Sequence, residues 1–362
     1  MPAWQVILCH HDSFKVIKKI TLVHIRKGQK SMKNILITGG AGYVGSVLTP
    51  HLLNAGYNVT VYDIMYYENH LPDHPNLVMV KGDIRDTAKL ARFFKGIDCV
   101  LHLACISNDP SFDLDEGFSK SVNFDCFEPM VIAAKNAGVK RFVYCSSSSV
   151  YGVSEAPDVT EEHPLVPLTD YNKYKGLCEP LLFKHQSSDF ACVVIRPATV
   201  CGYGPRLRLD LSVNILTNHA VTNNKITVFG GSQLRPNLHI KDMADVYELM
   251  VTAPSEKITG EIFNFGYQNL SIMEIAKTIR KVVMEEFPEK GEIEIVTTPT
   301  NDPRSYHINS DKSKRVLEFS PKRTIEDACR DLCSAFKEGK ISNSMEDTSY
   351  YNVKFMKELG AK

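Results

Sequence analysis

The sequence has no excess of charge, no paired cysteines and no long apolar run. Its 362 residues include 42 basic and 42 acidic side chains, so nothing indicates broad binding to nucleic acid or to an anionic membrane. None of the ten cysteines forms a C-x-x-C pair, which argues against a metal site and favours buried free thiols in a reducing cytoplasm. No apolar stretch approaches the length of a membrane span, and neither an internal repeat nor a low-complexity tract is present.

Residues 1–31 lack the features of a secretory signal. They are rich in lysine and arginine, but they contain no uninterrupted apolar core and no small-residue cleavage site. Met32 stands immediately before the first predicted strand. We expect residues 1–31 to be a poorly ordered extension, with a basic targeting tail as the alternative.

A cluster of glycines separates an apolar run from the start of a helical pattern. The run Asn34–Thr38 is followed by glycines at positions 39, 40, 42 and 45, and apolar residues then recur at helical spacing. Such a turn lets a phosphate approach the first N–H groups of the helix. The next predicted strand ends at Asp63, where an acid can accept ribose hydroxyls and repel a 2′-phosphate. The pattern predicts NAD rather than NADP as the cofactor.

Strands and helices alternate from Met32 onward, which is typical of a parallel sheet with helices on both faces. Beyond Arg196-Pro197 the pattern changes to short strands, glycine turns and a helix opened by the capping box Ser271–Glu274. The predicted fold is α/β, a doubly wound parallel (Rossmann) sheet with a smaller, interleaved α+β substrate-binding domain. We assign residues 32–196, joined by 238–266, to the Rossmann domain, residues 197–237 and 267–340 to the cap, and residues 341–362 to a C-terminal tail.

Polar side chains follow the fifth predicted strand and open a predicted helix. Tyr171 and Lys175 are spaced i, i+4 on one helix face, and Ser146–Ser149 lie where such sheets bind ligands. A lysine beside a tyrosine favours the phenolate and lowers the pKa of the phenol, which makes the tyrosine a usable base. An exposed, non-catalytic pair is the alternative for Tyr171 and Lys175 alone. The glycine turn and the serines make catalysis the better interpretation.

These motifs resemble those of the extended short-chain dehydrogenase/reductase family, specifically its NAD-dependent nucleotide-sugar epimerases and dehydratases. The resemblance runs from about Met32 to residue 340. It rests on Thr38–Gly45, Gly82-Asp83-Ile84, His102-Leu103-Ala104, Asn123, Ser147 with Val150-Tyr151-Gly152, Tyr171 with Lys175, Arg196-Pro197, and Leu234-Arg235-Pro236 before His239. It implies a nucleotide-diphosphate sugar as substrate. By analogy it also implies a homodimer built on the helices near 118–137 and 171–187.

The resemblance further implies roles for individual residues. The catalytic set would be Ser147, Tyr171 and Lys175. The expected cofactor-binding residues are Gly39, Gly42, Tyr43, Val44, Gly45, Asp63, Asp83, Ile84, Leu103, Ala104, Asn123, Tyr171, Lys175, Pro197 and Val200. The expected substrate-binding residues are Ser148, Ser149, Thr199, Asn214, Arg235 and Arg304, in which the arginines would grip a pyrophosphate. A surface charge is the alternative for Arg304.

Departures from the family pattern narrow the expected reaction. In the family, the tyrosine takes a hydroxyl proton while hydride passes to NAD, and an epimerase then returns the hydride to the other face of the keto sugar. Dehydratases carry an Asp-Glu pair where this sequence has Ser148 and Ser149, and 3,5-epimerases carry a cysteine at the Ser149 position. Serine cannot replace a carboxylate at neutral pH, so dehydration is not expected. The serine in place of the cysteine argues against 3,5-epimerisation.

Two further departures leave the reaction open between epimerisation and net redox change. Thr199 stands where hexose 4-epimerases have an asparagine. The run from Arg196 to Leu211 resembles a bacterial subgroup tied to surface-polysaccharide sugars, some members of which oxidise GDP-heptoses at C4 without epimerising them. We expect an epimerase acting through transient oxidation at C4, with a 4-dehydrogenase or ketoreductase as the alternative. A non-catalytic NAD sensor is the third hypothesis, and it gives no reason for the catalytic set.

Overall fold

A seven-stranded parallel sheet lies at the centre of the structure, a computed structural model that describes residues 32–300 and 305–360. Along the sheet, the strands are Glu261–Phe265 (β10), Ala191–Pro197 (β6), Arg141–Cys145 (β5), Cys99–His102 (β4), Asn34–Thr38 (β1), Asn58–Asp63 (β2) and Leu77–Lys81 (β3). Each strand pairs in parallel with its neighbours. The strand order reverses between β1 and β4, which is where ligands bind in sheets of this kind. The predicted doubly wound α/β fold is confirmed, whereas the expected extension, residues 1–31, lies outside the described residues.

Helices bury the sheet on both faces. They are Tyr43–Asn54 (α1), Thr87–Ala91 (α2), Asp109–Phe112 (α3), Glu116–Lys120 (α4), Phe127–Asn136 (α5) and Asp170–Lys184 (α6), joined from later in the chain by Ile240–Thr252 (α8). Side chains of β1 alternate between two cores: Ile35 and Ile37 pack with α1 and α8, while Leu36 packs with α5 and α6. Because both faces are covered, the central strands form near-continuous apolar runs in the sequence.

A smaller lobe contains two further sheets. Lys225–Phe229 (β8) pairs with Glu294–Thr298 (β12), and Thr199–Cys201 (β7), Leu234–His239 (β9) and Gln268–Ser271 (β11) form the other sheet. The remaining helices are Ser212–Asn223 (α7), Ser255–Ile258 (α9), Ile272–Glu286 (α10), Asp311–Leu317 (α11), Ile325–Lys337 (α12) and Asn352–Leu359 (α13). The capping box predicted at Ser271–Glu274 is present. Within the described residues, no helix is both long and apolar enough to span a membrane.

The helix predicted over 118–137 is interrupted. Helix α4 ends at Lys120, a π-helical turn covers Ser121–Asp125, and α5 begins at Phe127. The extra residue of a π turn disrupts the regular helical ladder, a feature often found near functional sites. In this turn, the Asn123 amide bonds to both the N–H and the carbonyl of Ile106. The interruption therefore anchors the loop that follows β4.

The segment predicted to be a C-terminal tail folds back onto the protein. The Leu209 N–H donates to the Tyr350 carbonyl at 2.9 Å. Tyr351 is buried in a cluster that includes Leu209 and Ile341. Residues 341–360 therefore form part of the packed structure.

Candidate active site

A cavity of about 540 Å³ opens at the carboxyl ends of the central strands. The glycine turn after β1, the serines after β5 and Tyr171 of α6 all line it. Its volume is typical of a site for a small molecule. The glycine turn, the serines and Tyr171 therefore share one cavity.

The turn after β1 requires glycine at two positions. Gly39 has a φ of +75°, and a Cβ at this position would lie 2.7 Å from the Ala104 Cα. A Cβ at Gly45 would lie 2.4 Å from the Gly40 carbonyl oxygen. Among the described residues, no side chain caps the first turn of α1, which begins after Gly42. A turn without side chains, beside N–H groups of the first helical turn that no side chain caps, suits the binding of a dinucleotide pyrophosphate.

Two carboxylates lie where β2 and β3 end. Asp63 accepts hydrogen bonds from the N–H groups of Ala41 at 3.0 Å and Met65 at 2.8 Å, and its burial raises its pKa. Burial also acts to raise the pKa of Asp83, but hydrogen bonds from Arg85 outweigh it and hold that pKa below its usual value. Both carboxylates line the cavity. Asp63 is thus fixed in orientation at the position expected of a ribose-binding acid.

Ser147, Tyr171 and Lys175 line the same cavity. Tyr171 and Lys175 lie one turn apart in α6, and the Lys175 Nζ is 6.0 Å from the centroid of the Tyr171 ring. Lys175 also donates a hydrogen bond to the Cys145 carbonyl at 2.8 Å, at the end of β5. This bond holds the ammonium group beside the phenol, close to the strand that leads to Ser147.

Lys175 lowers the pKa of Tyr171, as predicted, but the net pKa of the phenol lies above its ordinary value. Burial raises the pKa of the Tyr171 phenol well above its ordinary value, and the charge of Lys175 offsets only part of that effect. Burial also acts to lower the pKa of Lys175, but nearby acidic groups, Cys105 and Tyr171 first, hold it above its ordinary value. Lys175 is therefore a permanent positive charge. The i, i+4 spacing indicates the charge of Lys175 beside Tyr171, but it contains no information about the burial of the phenol.

The serines after β5 form a hydrogen-bonded row. The Ser147 Oγ lies 2.7 Å from the Ser149 Oγ, which also contacts the Asn172 Oδ1 in α6. Ser148 and Thr199 line the cavity as well. None of these side chains ionises near neutral pH, so this part of the wall offers hydrogen bonds without acid–base groups.

The other expected substrate residues are divided between the wall and the packing behind it. Arg235 of β9 lines the cavity, and its guanidinium carbon lies 5.5 Å from the Tyr306 ring centroid. Asn214 is fully buried behind the wall, where it accepts the Gly202 N–H at 2.9 Å and donates to the Tyr43 hydroxyl at 3.0 Å. Its amide is occupied by these bonds, so the expected direct contact with a diphosphate is not what the structure shows. Arg304 lies outside the described residues.

Most of the expected cofactor residues line the cavity. Asn123 does not, because its amide is bound to Ile106, so it supports the wall rather than forming it. The other expected cofactor residues that line the cavity are Tyr43, Val44, Ile84, Leu103, Ala104, Pro197 and Val200.

Several cavity residues were not predicted from the sequence. Among them are Tyr67, Ser107, Arg206, Arg208, Asp210, Asn352 and Met356. Arg206, Arg208 and Asp210 belong to the run that resembles a family subgroup, and their charges in a glycine-rich loop were the available signal. Asn352 carried no such signal, because it lies beyond the segment that resembles the family.

Comparison with known proteins identifies the family. The model of the NAD dependent epimerase/dehydratase family matches residues 35–266. The chain belongs to this family. It is therefore an NAD-dependent enzyme of the extended short-chain dehydrogenase/reductase type, and the resemblance seen in the sequence is confirmed.

Relatives within the epimerase/dehydratase family match most of the chain. A UDP-glucose 4-epimerase of Lactobacillus helveticus is 27% identical over 319 residues, which cover 80% of this chain and 92% of that protein. The low-salt glycan biosynthesis protein Agl12 of Haloferax volcanii is 28% identical over 312 residues, covering 82% and 97%. The solved structure of the epimerase Mth375 of Methanothermobacter thermautotrophicus has a TM-score of 0.75 at 28% identity, covering 85% of this chain and 93% of that chain.

Proposed function

We propose that this protein is a nucleotide-sugar epimerase that oxidises a sugar hydroxyl, at C4, to a keto intermediate and then reduces it. The observation that carries the proposal is the convergence of Ser147, Tyr171 and Lys175 in the cavity that also contains the glycine turn. The named activity of the L. helveticus relative supports C4 as the carbon and a UDP-hexose as the first substrate to test.

Each member of the catalytic set has a separate task in this reaction. Tyr171 takes the proton of the sugar hydroxyl, and Ser147 hydrogen-bonds the same oxygen. Lys175, held by the Cys145 carbonyl at 2.8 Å, keeps a positive charge beside the phenol and so favours its ionised form. NAD, when bound, supplies the hydride acceptor and donor. Because the hydride returns to the sugar, no reduced cofactor accumulates.

The rest of the wall bears on the competing reactions. Ser148 and Ser149 occupy the positions at which dehydratases carry carboxylates, which argues against water elimination. A nucleotide-sugar 4-dehydrogenase or ketoreductase is the second candidate. It is favoured by Thr199, which lines the cavity where hexose 4-epimerases carry an asparagine.

The proposal extends to the setting of the reaction. The naming of Agl12 as a glycan biosynthesis protein, together with the resemblance of the run from Arg196 to Leu211, supports a role in the synthesis of surface polysaccharides. Free thiols at all the cysteines of the described residues support a reducing cytoplasm. Ile132 of α5 is 40% exposed and Leu177 of α6 is 42% exposed, which supports a homodimer formed by these helices. Residues 32–196 with 238–266 would form the NAD-binding Rossmann domain, and residues 197–237 with 267–340 would form the substrate-binding cap.

The test is turnover of UDP-glucose, UDP-galactose and a GDP-heptose by the purified protein, followed by NMR of the sugar and by NADH absorbance. An epimeric sugar without net NADH supports the proposal. A keto sugar with equivalent NADH supports the second candidate.

A pair of variants tests the catalytic set directly. We expect Tyr171→Phe to reduce turnover on the order of 10²- to 10⁴-fold, the usual contribution of a general base. The matched control is Tyr174→Phe in the same helix, because Tyr174 stacks on Phe112 with ring centroids 5.8 Å apart and is not a wall residue. If both variants retain full turnover, the catalytic assignment is wrong.

A further inference from the structure

A buried arginine lines the cavity without a carboxylate partner. Arg206 is only 3% exposed, and its Nε has no hydrogen-bond partner among the described residues. No described carboxylate forms an ion pair with it, whereas the neighbouring Arg208 pairs with Asp210 at 2.9 Å. Burial lowers the pKa of Arg206 to about 10, so the guanidinium remains charged at neutral pH. An unpaired buried charge is costly, and an anionic ligand would offset that cost.

The guanidinium is held in place from two sides. Its Nη2 donates to the Asn352 Oδ1 at 2.6 Å, and its carbon lies 3.6 Å from the centroid of the Tyr67 ring. The Tyr67 hydroxyl donates to the same Asn352 oxygen at 3.0 Å. Phe355 stacks on Tyr67 with ring centroids 4.8 Å apart. An arginine fixed in this way loses little side-chain entropy when it binds a ligand.

Asn352 joins this arrangement to the rest of the wall. Its Nδ2 donates to the Ser107 Oγ at 2.9 Å, and its backbone N–H donates to the Asp210 Oδ2 at 3.2 Å. The segment that carries Asn352, residues 341–360, thus contributes directly to the cavity.

The backbone around Arg206 indicates which anion it faces. Its N–H donates to the Ser46 Oγ at 3.2 Å. Ser46 lies in the first turn of α1, where its own N–H bonds to the Gly42 carbonyl. A helix N-terminus that follows a glycine turn is the place where dinucleotides put their pyrophosphate.

We propose that Arg206, positioned by Asn352 and Tyr67, binds the pyrophosphate of NAD. Its planar fork of donors suits two phosphate oxygens. The inference rests on the family's cofactor and not on which sugar is converted, so it stands or falls separately from the proposed epimerisation.

The test measures binding by titration calorimetry with ligands that differ only in phosphate. ADP is compared with adenosine, and UDP with uridine. We expect Arg206→Gln to weaken ADP binding roughly tenfold to a hundredfold while adenosine binding changes by less than about twofold, since only the charge-assisted hydrogen bonds are lost. Arg206→Lys should lose part of this affinity, and Asn352→Ala should lose a smaller part because the guanidinium loses its anchor. Arg330→Gln, in an exposed ion pair with Glu285, is the control and should bind like the native protein.

Three results would overturn the proposal. One is an equal loss for ADP and adenosine in Arg206→Gln, which indicates a general change in the pocket. Another is a loss confined to UDP, which assigns Arg206 to the substrate diphosphate. The third is unchanged ADP binding in both Arg206→Gln and Asn352→Ala. Thermal unfolding of each variant shows whether it is folded. If Arg206→Gln does not fold, Arg206→Lys and Asn352→Ala still test the proposal.

Discussion

Loss of the Glu179 carboxylate should leave an uncompensated charge inside the protein. Glu179 of α6 is 2% exposed and accepts from Arg196 of β6 twice, from Nε at 2.9 Å and from Nη2 at 2.5 Å. It also accepts from the Ser146 Oγ at 2.6 Å. The pair therefore connects α6, which carries Tyr171, to β6 and to the residue before Ser147.

The destabilisation expected of Glu179→Ala follows from the contacts that Arg196 keeps and loses. In Glu179→Ala the Arg196 guanidinium keeps the Tyr151 hydroxyl at 2.7 Å as an acceptor but has no counter-charge. Breaking a buried pair in this way costs about 3 to 5 kcal/mol. With an unfolding entropy of about 2.1 cal/mol/K per residue over 362 residues, we expect a fall in Tm of roughly 4 to 7 °C.

Differential scanning calorimetry with two matched variants provides the test. Glu128→Ala removes a half-buried carboxylate of α5 that pairs with Lys184 and His185 at the end of α6, and it should change the Tm much less because Lys184 is exposed to solvent. Glu179→Leu combined with Arg196→Met removes both charges and should recover at least half of the loss, because no buried charge remains. A Tm for Glu179→Ala equal to that of Glu128→Ala would refute the reasoning.

Three further expectations follow from the same structure. Lys175→Met should shift the rising limb of the pH–rate profile to higher pH, because the charge that offsets the burial of Tyr171 is removed; an unshifted profile would exclude Lys175 from tuning the phenol. Gly39→Ala should weaken NAD binding more than about tenfold in a fluorescence titration. The φ of +75° at Gly39 and a Cβ that would lie 2.7 Å from the Ala104 Cα leave no room for a side chain. Gly56→Ala is the control and should bind NAD normally, because nothing lies within 4 Å of a Cβ at Gly56. His51 donates a hydrogen bond of 2.6 Å from its Nε2 to the Glu248 carboxylate, and this bond raises the pKa of His51. The stabilisation is therefore present at low pH and is lost as the pH rises through the folded-state pKa of His51. His51→Gln should therefore cost less than about 1 kcal/mol in urea unfolding at about pH 5.5 and nothing at about pH 9, and an equal cost at both values would contradict this origin.

Local patterns were enough to predict the sheet and the cofactor turn. The apolar runs of β1, β4 and β5 are buried on both faces, and a strand of that kind is recognisable without its neighbours. The glycine turn is similarly local, because its glycines meet the strand–turn–helix unit itself, Val61 of the neighbouring β2, and the residues that follow β4. These features depend on short segments and so appear directly in the sequence.

Features that depend on surroundings were predicted less well. Spacing placed Tyr171 beside Lys175 correctly, but the pKa of the phenol is governed first by burial, which no pattern of i, i+4 residues contains. Asn214 was assigned to the substrate by resemblance. Its amide is instead consumed by Gly202 and Tyr43, partners 12 and 171 positions away in the chain.

Asn352 shows why the far end of the chain had to be seen in three dimensions. A single amide has donors and acceptors for several partners at once, and this one connects Tyr67, Ser107 and Arg206, which come from three separate loops. Each bond is between residues more than 140 positions apart, so no sequence window contains any of them. Burying a polar amide costs free energy unless its hydrogen bonds are made, and these bonds hold the three loops in a fixed arrangement. Binding of a charged ligand requires such an arrangement. The sequence predicted residues 341–362 to be a tail, whose removal would leave the site intact. In the structure, deletion of these residues should instead take away one wall of the cofactor cavity.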